Sequence, residues 1–114
     1  MLIKEITDKM DNSFFWIRTV TRKINKFLHI SEGFDCVTGY DREKLLNNVG
    51  CIAKYIHPED QKVIKSNNNK AKKTGFATFK YRFKTKWGYK NLTTKIIHKK
   101  VNGEITEVGF STQT

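Results

Sequence analysis

The stretch FATFKYRFKTKW, residues 76–87, alternates between aromatic and cationic side chains over most of its length. Successive side chains of a β-strand point to opposite faces of a sheet, so this alternation predicts a strand with one buried face and one wet face. Phe79, Tyr81 and Phe83 share the predicted buried face. The opposite face carries a ladder of cations: Lys80, Arg82, Lys84 and Lys86. Such a strand needs partner strands beside it and a second layer to cover its aromatic face.

Four other segments have strand character: SFFWIRTV (13–20), KFLHI (26–30), KNLTTKIIHKKV (90–101) and EITEVGFSTQT (104–114). An Asn-Gly dipeptide joins the last two, which is a strong hairpin signal. We expect the buried face to continue through these residues of the last two strands: Leu92, Thr94, Ile96, His98 and Phe110.

The segment IHPEDQKVIKSNNNKAKKTG, residues 56–75, has the composition of a capped helix. His57 stands at the predicted N-cap, and Pro58 occupies the first helical position, where its missing N–H is not needed. Glu59 and Asp60 place negative charge at the positive end of the helix dipole. Shorter helices are predicted before it, the first ending at a Gly-Tyr pair, Gly39 and Tyr40.

The order of elements predicts an α+β fold with a five-stranded antiparallel sheet and helices packed on one of its faces. Residues 13–114 form one domain in this interpretation. Residues 1–12 are predicted to form an amphipathic cap helix whose apolar side consists of Leu2, Ile3, Ile6 and Met10. An isolated helix of this length is marginal in water, so we expect it to pack on the domain.

The net charge is +11, from 22 basic and 11 acidic residues, which raises the question of a nucleic-acid partner. Lysine is abundant throughout the chain, which favours a general compositional bias. The cationic ladder also lacks the interleaved exposed aromatics on which single strands stack. We therefore expect a solvated face and no nucleic-acid partner.

Cys36 and Cys51 are isolated, and the three histidines show no clustered spacing, so no metal site is predicted. Isolated cysteines favour a reduced, cytoplasmic setting. The polar N-terminus is not typical of a signal peptide, and no apolar run approaches the roughly 20 residues that span a membrane. No membrane contact is expected for this segment.

Four stretches in this order resemble the PAS domain family: TGYDREKLL, YIHPEDQKVI, FKYRFKTKWGYKNL and NGEITEVGFSTQT. The resemblance covers residues 13–114. Its motif positions include Gly39, Tyr40, His57, Pro58 and Asp60. The chain departs from the family where Trp87 replaces an Asp before the hairpin Gly, where Leu92 replaces a Trp, and where STQT replaces a terminal Asp-Ile-Thr.

The resemblance implies a sensory or regulatory domain of a larger signalling protein, such as a histidine kinase or a cyclic-dinucleotide enzyme, with an output domain in the same chain. It also implies a small-molecule pocket, whose lining candidates are Phe79, Tyr81, Phe83, Leu92, Thr94, Ile96, His98 and Phe110. The alternative for these residues is that they fill the core. The alternative function is a ligand-free interaction module that dimerises through the N-terminal helix.

Flavin-binding relatives carry a reactive Cys in a Gly-x-Asn-Cys-Arg-Phe-Leu-Gln motif. Here Cys51 lies in NNVGCIAKYI, without the Asn, Arg and Gln and one position late. Haem-binding relatives use an axial His near the long helix, and His57 is already explained as a cap. No cofactor is therefore predicted, and the ligand is left open. The chain shows no nucleophile–base pair or paired carboxylates, so the domain is not expected to be an enzyme.

Overall fold

The computed structural model describes residues 12–20, 25–46 and 50–114, with the backbone alone for residues 25, 26, 45, 46, 50 and 51. The elements in chain order are β1 Ser13–Val20, β2 Asn25–Ile30, α1 Gly33–Thr38, α2 Arg42–Leu46, α3 Gly50–Ala53, a 3₁₀ turn Pro58–Asp60, α4 Gln61–Thr74, β3 Phe76–Thr85, β4 Gly88–Val101 and β5 Glu104–Gln113. The predicted N-terminal helix, with Leu2, Ile3, Ile6 and Met10, lies outside the described residues.

The five strands form one sheet in the order β2-β1-β5-β4-β3, and every neighbouring pair is antiparallel. This order places the first and last strands of the domain side by side. The predicted Asn-Gly hairpin is confirmed between β4 and β5, where Asn102 and Gly103 both have positive φ angles, 51° and 80°. The α+β architecture expected from the order of elements is therefore the observed one.

The helices cover one face of the sheet, which we call the inner face, and the opposite face is the outer face. On the inner side, α1 packs against β1 and α4 packs against β3. The ring of Phe34 in α1 meets Phe14 and Phe83 edge-on, with centroid distances of 5.1 and 6.3 Å. These rings anchor the core, because edge-to-face contacts add to the free energy of burying each ring.

The Gly-Tyr pair after α1 fixes that helix to the β3–β4 turn. Gly39 has φ 78°, and a Cβ there would lie 2.8 Å from Cβ of Lys86, so only glycine fits this close approach. The Tyr40 hydroxyl donates to the carbonyl of Lys84 at 2.9 Å, and its ring stacks on Tyr55 at 4.6 Å. The pair is therefore a structural clamp.

The predicted helix start at the His-Pro-Glu-Asp segment is present. Nδ1 of His57 accepts a hydrogen bond from the Glu59 backbone N–H at 3.1 Å, and Pro58 opens the 3₁₀ turn that leads into α4. The Asp60 carboxylate accepts from the Arg82 backbone N–H at 2.7 Å and from its guanidinium at 2.9 Å. This segment thus starts the helix and also ties it to β3.

The prediction that Phe110 faces the core is wrong, because its side chain lies on the outer face with 40% of its surface exposed. The Asn102–Gly103 turn sets a register in which Thr94 faces Ser111 and Lys95 faces Phe110. Thr94 and Ser111 are fully buried on the inner face. Phe110 therefore shares the outer face with Lys95.

Candidate functional site

Seven of the eight predicted pocket residues lie together on the inner face. They come from two adjacent strands: Phe79, Tyr81, Phe83, Leu92, Thr94, Ile96 and His98. Their backbone positions follow from the strict alternation of β3 and β4. All seven are buried or nearly so, with the His98 side chain 4% exposed. Their role as the lining of a ligand pocket stays a prediction.

Two hydroxyl groups interrupt the apolar surface near the centre of the inner face. Thr94 Oγ1 and Ser111 Oγ lie 2.6 Å apart across β4 and β5, and both residues are fully buried. Tyr81 lies beside them. Burial raises the pKa of its phenol, and its interactions with Thr94 and Ser111 oppose that rise. The three residues offer hydroxyl groups that could exchange their mutual interactions for a bound polar group.

A row of ionisable side chains crosses the inner face, two rows further along the strands than the Thr94–Ser111 pair. His98 on β4 and Arg18 on β1 each stand directly opposite Glu107 on β5. His98 Nε2 lies 2.9 Å from Glu107 Oε1, and the Arg18 Nε–H donates to Oε2. Trp16 also donates to Oε2, with its Nε1 at 3.2 Å. Three side chains therefore converge on one carboxylate that is 1% exposed.

Burial by itself would raise the pKa of Glu107. The hydrogen bonds from His98 and Arg18 and the charge of Arg18 outweigh that effect, and they hold the pKa at about 2. Glu107 is therefore ionised at neutral pH and accepts hydrogen bonds only. It follows that Nε2 of His98 carries the hydrogen in this contact.

The other ring nitrogen of His98 differs from Nε2 in having no partner among the described residues. Nδ1 is buried and makes no hydrogen bond to any residue that the structure describes. Unpaired buried polar atoms are rare in folded proteins, and each one calls for an explanation. In the neutral ring, Nδ1 is an acceptor, so a donor group or a proton could bind there.

Sequence reasoning found His98 but missed Glu107, Arg18 and Trp16. A signal was present: counting four residues back from Asn102 and four forward from Gly103 pairs His98 with Glu107. The hairpin turn was predicted, but its register was not followed into the strands. No comparable sequence signal predicts that Arg18 lies beside Glu107, because β1 and β5 are far apart in the chain and no short turn sets their register.

The outer face carries an apolar row that runs across the sheet in register. Phe76 stands opposite Ile97, Ile97 opposite Val108, and Val108 opposite Ile17. Phe76, Ile97 and Val108 are 54%, 47% and 42% exposed, and Phe110 adjoins them in the next row. We call these five residues the outer apolar row.

Most of the predicted cationic ladder lies on this same face beside the row, whereas Lys86 lies in the β3–β4 turn, where it packs against Gly39. Lys80, Lys84, Lys95 and Lys99 are exposed there, whereas the Arg82 guanidinium is paired with Asp60. The expectation that the ladder lacks exposed aromatics is wrong, because Phe76 and Phe110 stand among the lysines. Their exposure follows from the strand registers.

Other possible sites are less developed. An open surface groove of about 340 Å³ is lined by Asp60, Lys80, Tyr81, Arg82, Asn91 and Thr114. No group of three His, Cys, Asp or Glu residues in the described part of the chain could hold a metal ion. Cys36 is exposed, and the Cys51 side chain lies outside the described set. The absence of flavin and haem stays a prediction. None of the described helices is long and apolar enough to cross a membrane.

Comparison with known proteins supports one family. A family model described as the PAS fold matches residues 27–108. No curated protein matches the chain.

Solved structures share the fold at low sequence identity. A domain of a proposed light and redox sensing histidine kinase from Haloarcula marismortui has a TM-score of 0.77 and 19% identity, covering 99% of this chain and 98% of its own. The N-terminal domain of a diguanylate cyclase with a PAS/PAC sensor from Marinobacter aquaeolei has a TM-score of 0.69 and 19% identity, covering 89% and 94%. A light-oxygen-voltage domain studied with a flavin analogue has a TM-score of 0.71 and 21% identity, covering 99% and 84%.

Proposed function

Because this chain belongs to the PAS fold family, we propose that it is the sensory domain of a larger signal-transduction protein, with an output domain in the same chain. The domains that it resembles come from a proposed sensor histidine kinase and a diguanylate cyclase. Within this proposal the domain itself is not catalytic, and its isolated cysteines favour the cytoplasm.

The observation that carries the proposal is the polar character of the buried inner face. Packing alone would be served by apolar residues, since replacing a buried ion pair with well-packed apolar side chains is often neutral or stabilising. Here the inner face instead holds the Thr94–Ser111 hydroxyl pair and the ionised Glu107 with its three donors. Polar groups that converge within an apolar surface are what orients a small molecule.

The ligand would act by favouring one of two arrangements of the sheet and its helices. A ligand shifts such an equilibrium only to the extent that it binds one state better than the other. Apart from Tyr81 on β3, the inner-face polar groups lie on β1, β4 and β5, so a molecule that engaged them would contact the three central strands of the sheet. A change in their spacing would then reach the output domain.

Native mass spectrometry of the domain purified from cells tests this proposal. We expect a small molecule retained at one per chain. In a Thr94→Val, Ser111→Ala variant, we expect less of it to be retained. Lys72→Ala, on the exposed surface of α4, is the matched control and should retain it fully. A protein that carries no adduct and binds none of a metabolite library would contradict a small-molecule sensor.

The outer apolar row favours a second candidate, an interaction module that forms homodimers. Contiguous exposed apolar surface marks interaction sites, although the surrounding lysines oppose self-pairing of this face. Sedimentation velocity separates the possibilities. If Val108→Lys abolishes the dimer and the control Leu28→Lys keeps it, the dimer forms through the outer apolar row. A dimer lost only on deletion of residues 1–11 would assign it to the predicted N-terminal helix.

A further inference from the structure

The hydrogen-bond pattern around His98 leaves room for a second proton on the ring. Its Nε2–H is committed to Glu107, and its Nδ1 is a buried acceptor without a partner among the described residues. Histidine is the side chain that ordinarily changes charge between pH 5 and 8. A proton added at Nδ1 would convert an unused acceptor into a buried donor, and none of the described residues accepts a hydrogen bond from it.

Protonation of His98 would also change which cations contact the Glu107 carboxylate. The charged groups nearest to this contact on neighbouring strands are Glu107 itself and Arg18, with the Tyr81 phenol further along the face. Other described cations nearby are exposed: Lys100 on the same strand and Lys72 and Lys73 in the last turn of α4. A neutral His98 leaves Arg18 as the one cation in direct contact with Glu107 among the described residues. An imidazolium would be a second.

We propose that His98 is the proton-binding site of the domain, and that protonation at Nδ1 draws Glu107 away from Trp16 and Arg18 and so loosens β1 from β5. This inference rests on the proposed sensory function, and it names the proton as a signal. A protonated Nδ1 needs a hydrogen-bond acceptor, so the imidazole ring has to rotate or shift to bring Nδ1 to one. The carboxylate that it holds then moves with it, because the charged contact strengthens.

The position of His98 connects this movement to the rest of the domain. Its backbone N–H donates to the carbonyl of Gly75 at 2.8 Å, directly after the end of α4. Across the sheet, Glu107 links it to Trp16 and Arg18 on β1. A shift of His98 therefore reaches both the C-terminal end of the long helix and the first strand.

Nuclear magnetic resonance tests the site directly on the full chain, with Trp87→Phe so that Trp16 supplies the remaining indole signal. The imidazole nitrogens of His98 and the Nε1–H of Trp16 are followed from pH 5 to 8. We expect the Trp16 resonance to move with the same midpoint as the imidazole nitrogens of His98. The movement should be absent in His98→Gln and present in the matched controls His29→Gln and His57→Asn.

Three results would overturn the inference: a His98 that keeps one charge state throughout, a His98 that titrates while Trp16 does not respond, or a Trp16 response that persists in His98→Gln. The first two are read on the chain with its native histidines, so they hold even if His98→Gln fails to fold. Native mass spectrometry separates this inference from the sensory proposal. If a small molecule is retained but the His98 signals do not change with pH, the proton site is refuted and the proposal of a sensory domain is still supported.

Discussion

The indole of Trp16 occupies the space that a side chain would need at Gly109, on the adjacent strand. A Cβ atom at position 109 would stand 2.1 Å from both Cε2 and Cζ2 of that ring. The two residues are directly opposite in the β1–β5 register. The missing side chain lets the indole cross β5 and donate to Glu107. Gly109 therefore positions a hydrogen-bond donor to Glu107, in the row of ionisable side chains on the inner face, which we call the buried row.

Gly109→Ala tests this relationship. The backbone at position 109 needs no positive φ angle, so the cost should come from the collision with Trp16. We expect a loss of about 1–3 kcal/mol in the free energy of unfolding, as for other overpacked cores. Urea denaturation measures it. In a Trp16→Val background the same substitution should cost little, and an equal cost in both backgrounds would show that the indole is not the cause.

Glu107→Gln should be strongly destabilising, because a neutral amide cannot supply the negative charge on which Arg18, His98 and Trp16 converge, in a site where Glu107 is 1% exposed. Breaking a buried pair by removing one partner costs about 3–5 kcal/mol. Glu104→Gln is the matched control on the same strand, where the side chain is exposed, and it should stay within about 0.5 kcal/mol of the parent. Similar stabilities for the two variants would contradict the assignment of Glu107 as the centre of the buried row.

The stability of the domain should fall in acid as Glu107 takes up a proton. Its pKa is held at about 2 in the folded protein, against about 4.3 in an unfolded chain. The unfolded state therefore binds the proton first. The stabilisation is complete above about pH 4.3 and disappears as the pH falls toward the folded value. Denaturation curves between pH 6 and 2 should show a shallower pH dependence for Glu107→Gln, and parallel profiles would refute the assignment.

The sequence predicted the elements of this fold because their signals are local. The alternation of residues 76–87 needs only the two faces of a strand, and the Asn-Gly turn needs only two residues. Phe110 was misplaced because its face depends on pairing register, and hydrophobicity alone favoured the core. The buried residues of β5 are Glu107, Gly109 and Ser111, which have no apolar character to mark them.

The buried row was hidden for a related reason. Glu107 is stable in the interior because His98, Arg18 and Trp16 contact it, and the last two lie on β1, some ninety residues away in the chain. A lone Glu in a strand suggests an exposed position until those partners are known. Long-range pairing of the first and last strands supplies them, and no local pattern encodes it.

Asp60 should link the start of α4 to β3 through Arg82, and Asp60→Ala tests this link. The substitution removes the acceptor of the Arg82 backbone N–H at 2.7 Å together with two contacts to the guanidinium. We expect the unfolding free energy to fall by about 1–2 kcal/mol, as when a buried donor loses its partner.

The first turn of α4 should show the loss locally, as faster amide hydrogen exchange, because its tie to β3 is gone. Glu59→Ala is the matched control, since Glu59 is 76% exposed and contacts the same guanidinium at 3.2 Å. Exposed ion pairs contribute about 0–1 kcal/mol, so this variant should exchange like the parent. Equal effects of the two substitutions would mean that the arginine acts through its charge, and that the backbone contact of Asp60 does not hold the helix in place.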